Sequence, residues 1–173
     1  LASSPSTLNQ VRIDQGQADA LIGCDLVVSS SPKASGAYRR GMKAVVNTAQ
    51  MPTGDFVRLR DADLASPRRL AAIEAVIGKD NLATIEANAA AENLLGDTVF
   101  ANVMMLGFAW QSGLVPVSLA ALDRAIELNA VAVGQNRQAF AWGRLAAADP
   151  AAFQAALGGE EPKPETLDGI ISR

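Results

Sequence analysis

The sequence predicts an α/β fold, in which a small parallel Rossmann-like sheet is flanked by helices and followed by a helical C-terminal part. Two apolar runs rich in β-branched residues, 26–29 and 44–48, are bounded by turn-forming residues and are predicted strands. About 14 residues separate the two runs, which leaves room for a helical crossover between parallel strands. Their continuous apolar character, without alternation between apolar and polar residues, is typical of strands covered on both faces.

Glycines that follow short amphipathic stretches mark the ends of the first predicted helices. Residues 11–13 are predicted as a short strand, and residues 17–22 as a brief helix closed by Gly23. A second short helix over residues 33–40 is predicted to end at Gly41. These helices would provide the connections on either side of the strand at residues 26–29.

The middle of the chain has clearer start and stop signals. Ser66 is a predicted N-cap and Pro67 suits the first helical position, so a helix begins there and ends at Gly78. A further strand is predicted over residues 82–85, and an Ala-rich helix over residues 87–95.

From residue 97 onward the core is predicted to be helical. Asp97 is a predicted cap for a helix over residues 97–111 that is apolar on almost every face. A helix of this kind is buried in a large body or against a partner, so we expect it to be partly an interface. Asn102 within it is a predicted buried amide, for which a hydrogen bond between helices is favoured over contact with a ligand.

Two more helices are predicted beyond this apolar one. Pro116 and Ser118 open the first, and the second covers residues 131–147 and carries Asn136, another predicted buried amide. The join at residues 129–130 is consistent with either a break or a continuous helix. The residues of the first helix that are predicted to face inward are Leu119, Leu122 and Ile126.

Changes in composition divide the chain into three parts. Residues 1–10 are rich in Ser, Pro and Asn and are predicted to be a loose N-terminal segment. Residues 11–148 are predicted to be the folded domain. Residues 149–173 are predicted to be a linker and the start of a following segment.

Composition excludes several classes of site. The 173 residues include one Cys and no His, which excludes a Cys/His zinc site, a four-Cys iron–sulfur cluster, an internal disulfide and a His-dependent catalytic triad. The net charge is −3, and no cluster of Lys and Arg supports a nucleic-acid partner. The most apolar window, residues 99–110, is too short to span a bilayer, and residues 1–6 lack a secretory signal pattern. We therefore expect a cytoplasmic protein with no membrane partner.

The candidate binding residues follow the two predicted strands. Ser30 and Ser31 come after the first, and Asn47, Thr48 and Thr53 come after the second. Ligands of open parallel sheets bind beyond the carboxyl ends of the strands, where these hydroxyls and amides could meet a phosphate or carboxylate. The alternative is that these residues only build turns and cap helices. The sequence identifies no catalytic residue and no metal ligand, and Cys24 is interpreted as a small buried apolar side chain.

Several short segments occur along the chain in a fixed order. They are Arg12-Ile13, ADALIGCDLVV (18–28), VVNT (45–48), PTGDF (52–56), LLGDT (94–98), Asn102 with MLG (105–107), AWQ (109–111), GLVP (113–116), AIELN (125–129) and AFAWGR (139–144). Together they resemble the gamma-type domain of 2-oxoacid:ferredoxin oxidoreductases, and most closely that of the fused indolepyruvate ferredoxin oxidoreductases. The resemblance covers residues 11–144, and LDGII (167–171) resembles the start of the segment that follows in that family.

The resemblance implies part of an enzyme that oxidatively decarboxylates a 2-oxoacid to an acyl-CoA, using thiamine diphosphate and passing electrons through iron–sulfur clusters to a ferredoxin-type acceptor. The family's Gly-rich first βα unit does not precede residue 11. The thiamine-binding Gly-Asp-Gly segment is also missing, since Gly96-Asp97 has no second Gly after it. We therefore expect a scaffold and docking domain that binds no cofactor alone, is inactive when isolated, and contacts other domains or subunits of the same oxidoreductase in an oligomer.

The sequence is also consistent with two other functions. The chain could be a stand-alone module whose strand-exit loops bind a nucleotide- or CoA-type ligand. It could instead be an oligomerisation element built on the apolar helix over residues 97–111.

Overall fold

The computed structural model describes residue 4 and residues 12–49 and 66–158. Within this part the fold is α/β, with a small parallel sheet flanked by helices and a helical C-terminal part, as predicted. The strands are β1 (Ala20–Gly23), β2 (Lys43–Asn47) and β3 (Leu82–Ile85). The helices are α1 (Leu26–Ser29), α2 (Pro32–Ser35), α3 (Ser66–Ile77), α4 (Ala87–Leu95), α5 (Ala101–Gln111), α6 (Leu119–Asn129), α7 (Val133–Ala148) and α8 (Pro150–Leu157).

The three strands lie in sequence order, with β2 in the centre and parallel to both neighbours. Ile22 of β1 lies opposite Val45, and Thr84 of β3 lies opposite Val46. Val45 and Val46 have no exposed surface, which agrees with the prediction of a central strand covered on both faces.

Two predictions near the N-terminus are wrong. The predicted strand over residues 26–29 is the one-turn helix α1, and the predicted helix over residues 17–22 overlaps strand β1. The reason is local: Asp25 caps α1, because its carboxylate accepts a hydrogen bond from the Val28 N–H at 3.0 Å. This cap overrides the β preference of the two valines that follow Leu26.

Smaller differences affect the neighbouring segments. Arg12 and Ile13 are not in a strand, and Val11 lies outside the described residues. The helix predicted over residues 33–40 is only the short α2. Gly41 does adopt a left-handed conformation (φ 83°), but in the turn that leads into β2.

Separate apolar cores cover the two faces of the sheet. On one face Ala44 and Val46 pack with Leu26 of α1, Ile73 of α3 and Tyr38, and we call this the α3-face core. On the other face Val45 packs with residues of α4, α5, α7 and α8, and we call this the α5-face core. Successive side chains of β2 therefore alternate between the two cores, as the pleat of a strand requires.

Helix α5 is buried mainly by its own chain. Met104, Met105 and Ala109 have no exposed surface, and Phe108 is also buried. The burial that led us to predict an interface is thus supplied largely by the sheet and by α7. Asn102 is exposed, so the prediction that it is a buried amide is wrong. No helix in the described ranges is long and apolar enough to cross a membrane.

Two glycines allow α5 and α7 to approach closely. A Cβ added at Gly107 of α5 would overlap the Phe140 carbonyl oxygen, and one added at Gly143 of α7 would overlap the Met104 carbonyl oxygen. The obstacle in each case is the backbone of the facing helix, which cannot rotate out of the way as a side chain can. The distance between these two helices therefore depends on the absence of side chains at both positions.

The helix that follows α5 is capped by the predicted residue. Ser118 caps α6 by accepting a hydrogen bond from the Ala121 N–H at 3.2 Å. The join after α6 is a break, since Ala130 and Ala132 both have positive φ angles, 56° and 43°.

Helix α8 was not predicted, because the sequence predicts a linker beyond residue 148. The helix is capped by Asp149 and buries Phe153 in the α5-face core. Residues 159–173 lie outside the described part.

The glycine contact gives a stability prediction. Replacing Gly143 with Ala should lower the free energy of unfolding by about 2–3 kcal/mol, because the new methyl group meets backbone atoms on α5. Urea denaturation followed by circular dichroism measures the effect. Gly134 is the matched control on the same helix, where a Cβ meets nothing within 4 Å, and Gly134→Ala should raise stability by about 0.5–1 kcal/mol. Equal effects at the two positions would contradict the close contact.

The break after α6 gives a second prediction. Ala130→Gly should stabilise the protein by about 0.5–1 kcal/mol, because glycine adopts the left-handed conformation without the steric cost that alanine incurs. The control is Ala125→Gly, an exposed site inside α6, which should lose about 1 kcal/mol. If Ala130→Gly is as destabilising as Ala125→Gly in the same denaturation experiment, residue 130 is not left-handed.

Candidate functional site

The carboxyl ends of the three strands lie at one edge of the sheet because the strands are parallel. Gly23, Asn47 and Ile85 are the last residues of β1, β2 and β3. This edge is where the sequence predicts the site, and it is where open parallel sheets bind ligands.

Asn47 joins the exits of all three strands. Its Nδ2 group donates to the carbonyl oxygen of Cys24, beyond β1, at 3.3 Å, and to Oδ1 of Asn88 on α4 at 2.8 Å. Its Oδ1 accepts from the Ala49 N–H, beyond β2, at 3.1 Å and from the Ala87 N–H, beyond β3, at 3.0 Å. An amide has two donor hydrogens and two acceptor lone pairs, so all of its hydrogen-bonding capacity is used inside the chain. The sequence makes Asn47 a candidate contact to a ligand or to a neighbouring domain, whereas in the structure it is a structural tie, a buried side chain (2% exposed) that links the three strand ends.

Ser30 and Ser31 lie at the end of helix α1 and not at the end of a strand. The Ser30 hydroxyl donates to the Val27 carbonyl at 3.2 Å and accepts from Nη1 of Arg69 at 2.9 Å. The Ser31 hydroxyl accepts from the Ala34 N–H at 3.3 Å and so caps α2. These bonds correspond to the turn and capping roles that the sequence left open as the alternative to ligand binding.

Thr48 lines a groove of about 270 Å³ between the carboxyl ends of β2 and β3 and helix α8, and we call it the strand-exit groove. The polar residues that line it with Thr48 are Thr84, Glu86 and Gln154. Its apolar lining includes Phe108 and Phe153. Thr53, the remaining predicted site residue, lies outside the described residues. The structure therefore brings together Thr48 with three polar residues that the sequence did not single out.

The charge of the strand-exit groove limits what it can bind. Among the described residues that line it, Glu86 is the one ionisable residue, and its carboxylate caps α4 by accepting a hydrogen bond from the Ala89 N–H at 2.7 Å. No Lys or Arg lines this groove within the described ranges. Among the described residues a phosphate would therefore meet one carboxylate and no cation, which is unfavourable. The groove is better suited to neutral groups that combine apolar contact with hydrogen bonds.

Cys24 lies next to the carboxyl ends of the strands, but its environment does not favour a nucleophilic thiolate. Its side chain is half-buried against the α5-face core, and this burial raises the pKa of the thiol. A raised thiol pKa keeps the side chain protonated at neutral pH, which makes it less reactive. This agrees with its interpretation as a small apolar residue. The residues that the structure describes include no group of three or more His, Cys, Asp or Glu that could hold a metal ion.

Of the groove residues that were not predicted from the sequence, some could have been identified from their position and others could not. Glu86 directly follows a correctly predicted strand, so the rule that selected Thr48 would also have selected it. Gln154 and Phe153 lie on α8, about 70 residues further along the chain, and reach the groove through the packing of the α5-face core. No local pattern points to them.

Comparisons with family models, with curated proteins and with solved structures find no match to this chain.

The role of Asn47 gives a prediction that separates a structural tie from a ligand contact. Asn47→Ala should lower the free energy of unfolding by about 2–4 kcal/mol, because it leaves the buried Ala87 N–H and the Asn88 amide without partners. Thermal and urea denaturation measure this loss. The control is Asn102→Ala on the exposed side of α5, which should change stability by less than about 0.5 kcal/mol. An Asn47→Ala protein as stable as the control would show that the amide is not a structural tie.

Proposed function

We propose that this chain is a scaffold and docking domain of a thiamine-diphosphate-dependent 2-oxoacid:acceptor oxidoreductase of the indolepyruvate type. In the complete enzyme the reaction is the oxidative decarboxylation of a 2-oxoacid to an acyl-CoA, with electrons passed to a ferredoxin-type acceptor. The proposal rests on the ordered segments between residues 11 and 144 that resemble the family's gamma-type domain. The observation that carries the docking role is the strand-exit groove, whose described lining has hydrogen-bonding and apolar surface but no cation.

The residues of this chain do not fit the cofactors of the complete enzyme. A cluster bound by four cysteines cannot form on a chain with one Cys. The diphosphate of thiamine diphosphate and the phosphates of coenzyme A need cations or a row of backbone N–H groups. The strand-exit groove presents Glu86 instead. We therefore assign these cofactors to other domains or subunits and derive no chemical step on this chain.

A polypeptide segment of a neighbouring domain suits the strand-exit groove better than a phosphorylated ligand does. Among the apolar residues that line the groove, Pro150 is exposed and Leu157 partly exposed, and burying such surface is the main favourable term in most protein association. The hydroxyls of Thr48 and Thr84 and the amide of Gln154 can donate and accept hydrogen bonds with a peptide backbone. Protein interfaces combine apolar contact with hydrogen bonds, and the lining of this groove offers both kinds of group.

A charge placed in the strand-exit groove tests the docking role. In the complete oxidoreductase, Gln154→Arg should lower the rate of CoA-dependent reduction of a viologen dye by a 2-oxoacid about tenfold. The reason is that the guanidinium displaces the docked segment, and a tenfold weaker association corresponds to about 1.4 kcal/mol. The matched control is Ala155→Arg, an exposed position on the same helix that does not line the groove, and it should stay within twofold of the unmodified enzyme.

Two outcomes would contradict the proposal. Equal activity of the Gln154→Arg and Ala155→Arg enzymes would show that the groove is not a docking surface. Formation of acyl-CoA by the isolated chain, supplied with 2-oxoacid, thiamine diphosphate and CoA, would show that it is not a scaffold. Calorimetry of the isolated chain with CoA gives a further check, since micromolar binding that is lost in Thr48→Ala would favour the stand-alone ligand-binding module.

A further inference from the structure

A second groove, of about 250 Å³, lies between α6 and α7 and shares no lining residue with the strand-exit groove. We call it the α6–α7 groove. Leu119, Asp123 and Ile126 line it from α6, at the i, i+4 and i+7 spacing of one helix face. From α7 it is lined by Arg137, Phe140, Ala141 and Arg144. On α6 the charged Asp123 lies between two apolar residues, whereas on α7 two apolar residues lie between two arginines.

The charges of Arg137 and Asp123 cancel each other. The Arg137 Nε and Nη2 groups donate to the two Asp123 oxygens at 2.6 and 2.8 Å, a two-pronged ion pair. The hydrogen bonds from Arg137 lower the pKa of the Asp123 carboxyl below its ordinary value, so this carboxylate is ionised at neutral pH. The pair links α6 to α7 and leaves no net charge at this position.

Arg144 is different, because no carboxylate within the described ranges lies at ion-pair distance from it. Its guanidinium carbon lies 4.9 Å from the centre of the Trp110 ring, and its Nε donates to Oε1 of Gln111 at 3.1 Å. Trp110 is itself fixed, since its indole N–H donates to the Val117 carbonyl at 2.7 Å. Arg144 is therefore held in place beside an apolar groove with one uncompensated positive charge.

Val117 immediately precedes Ser118, the cap of α6, and Leu119 is the first residue of that helix. The bond from Trp110 to Val117 therefore places Arg144 near the N-terminal end of α6. The helix dipole adds a partial positive charge at that end. Arg144 and the helix end together favour one negative charge on an occupant of the groove.

We propose that the α6–α7 groove binds a small monocarboxylate with an apolar body. The carboxylate contacts the guanidinium of Arg144, which offers the planar donor geometry that carboxylates prefer. The apolar body lies on Leu119, Ile126 and Phe140. The single uncompensated charge matches a monoanion, and the apolar lining disfavours a dianion such as phosphate. The volume lies below the 300–1,000 Å³ range typical of pockets for drug-sized ligands, which limits the occupant to a compact acid.

Hexanoate and 1-hexanol are a matched pair of probes for this site, since they share the apolar chain and differ in charge. Titrations followed by two-dimensional NMR should show hexanoate binding at least tenfold more tightly than 1-hexanol, with the largest shifts on α6 and α7. Added NaCl should weaken the binding of hexanoate but not that of 1-hexanol. Equal affinity for the two probes would overturn the proposal, and so would shifts confined to other elements.

Two variants and one control locate the site. Arg144→Gln should weaken hexanoate binding at least tenfold and leave 1-hexanol binding within twofold. Ile126→Glu should weaken hexanoate binding by a similar factor through repulsion, and because no residue of α6 is buried, the fold should tolerate it. The control is Arg124→Gln, an exposed arginine of α6 that does not line the groove. Its binding should match the unmodified chain. If Arg144→Gln and Ile126→Glu both bind hexanoate as the control does, the groove is not the site.

Discussion

The buried amide of Asn47 is the interaction on which the site edge of this fold depends. Three strands of four or five residues give few ladder hydrogen bonds. One side chain ties these exits together with four hydrogen bonds. A buried amide with all its partners costs little and fixes one arrangement, whereas one missing partner would be expensive. The same completeness makes Asn47 unavailable to a ligand, which moves the candidate site outward to Thr48, Thr84 and Gln154.

The other half of the fold depends on close backbone contact. Gly107 and Gly143 bring α5 and α7 together, and this pair covers the face of the sheet that carries Val45. Because the helices are so near, the apolar residues of α5 find partners inside one small domain. Helix α8 then closes the same core through Phe153 and forms one wall of the strand-exit groove. The position of the strand-exit groove therefore depends on the close contact between α5 and α7 at Gly107 and Gly143.

Sequence reasoning succeeded where the signal was local. The strand at residues 82–85 and the helix at residues 87–95 match β3 and α4 residue for residue, because an apolar run and a left-handed Gly96 mark their limits. It failed at residues 17–29, where strand and helix were exchanged. At residues 26–29 one hydrogen bond to Asp25 outweighed the β preference of two valines, and at residues 20–23 the strand forms by pairing with β2. Of the site, Thr48 was predictable from its place after a strand. Gln154 was not, since a long-range packing arrangement brings it there.

The strained break between α6 and α7 has a consequence for the order in which the fold opens. No residue of α6 is buried, and the two alanines that follow it on either side of Val131 hold left-handed angles. Detaching α6 would expose little apolar surface and would release that backbone strain, so the free energy of this local opening lies far below that of global unfolding. Helix α6 can therefore adjust its position while the sheet and the α5–α7 pair stay intact. Within the described ranges the fold thus combines a packed body with an adjustable α6, and the ion pair of Arg137 with Asp123 links the two.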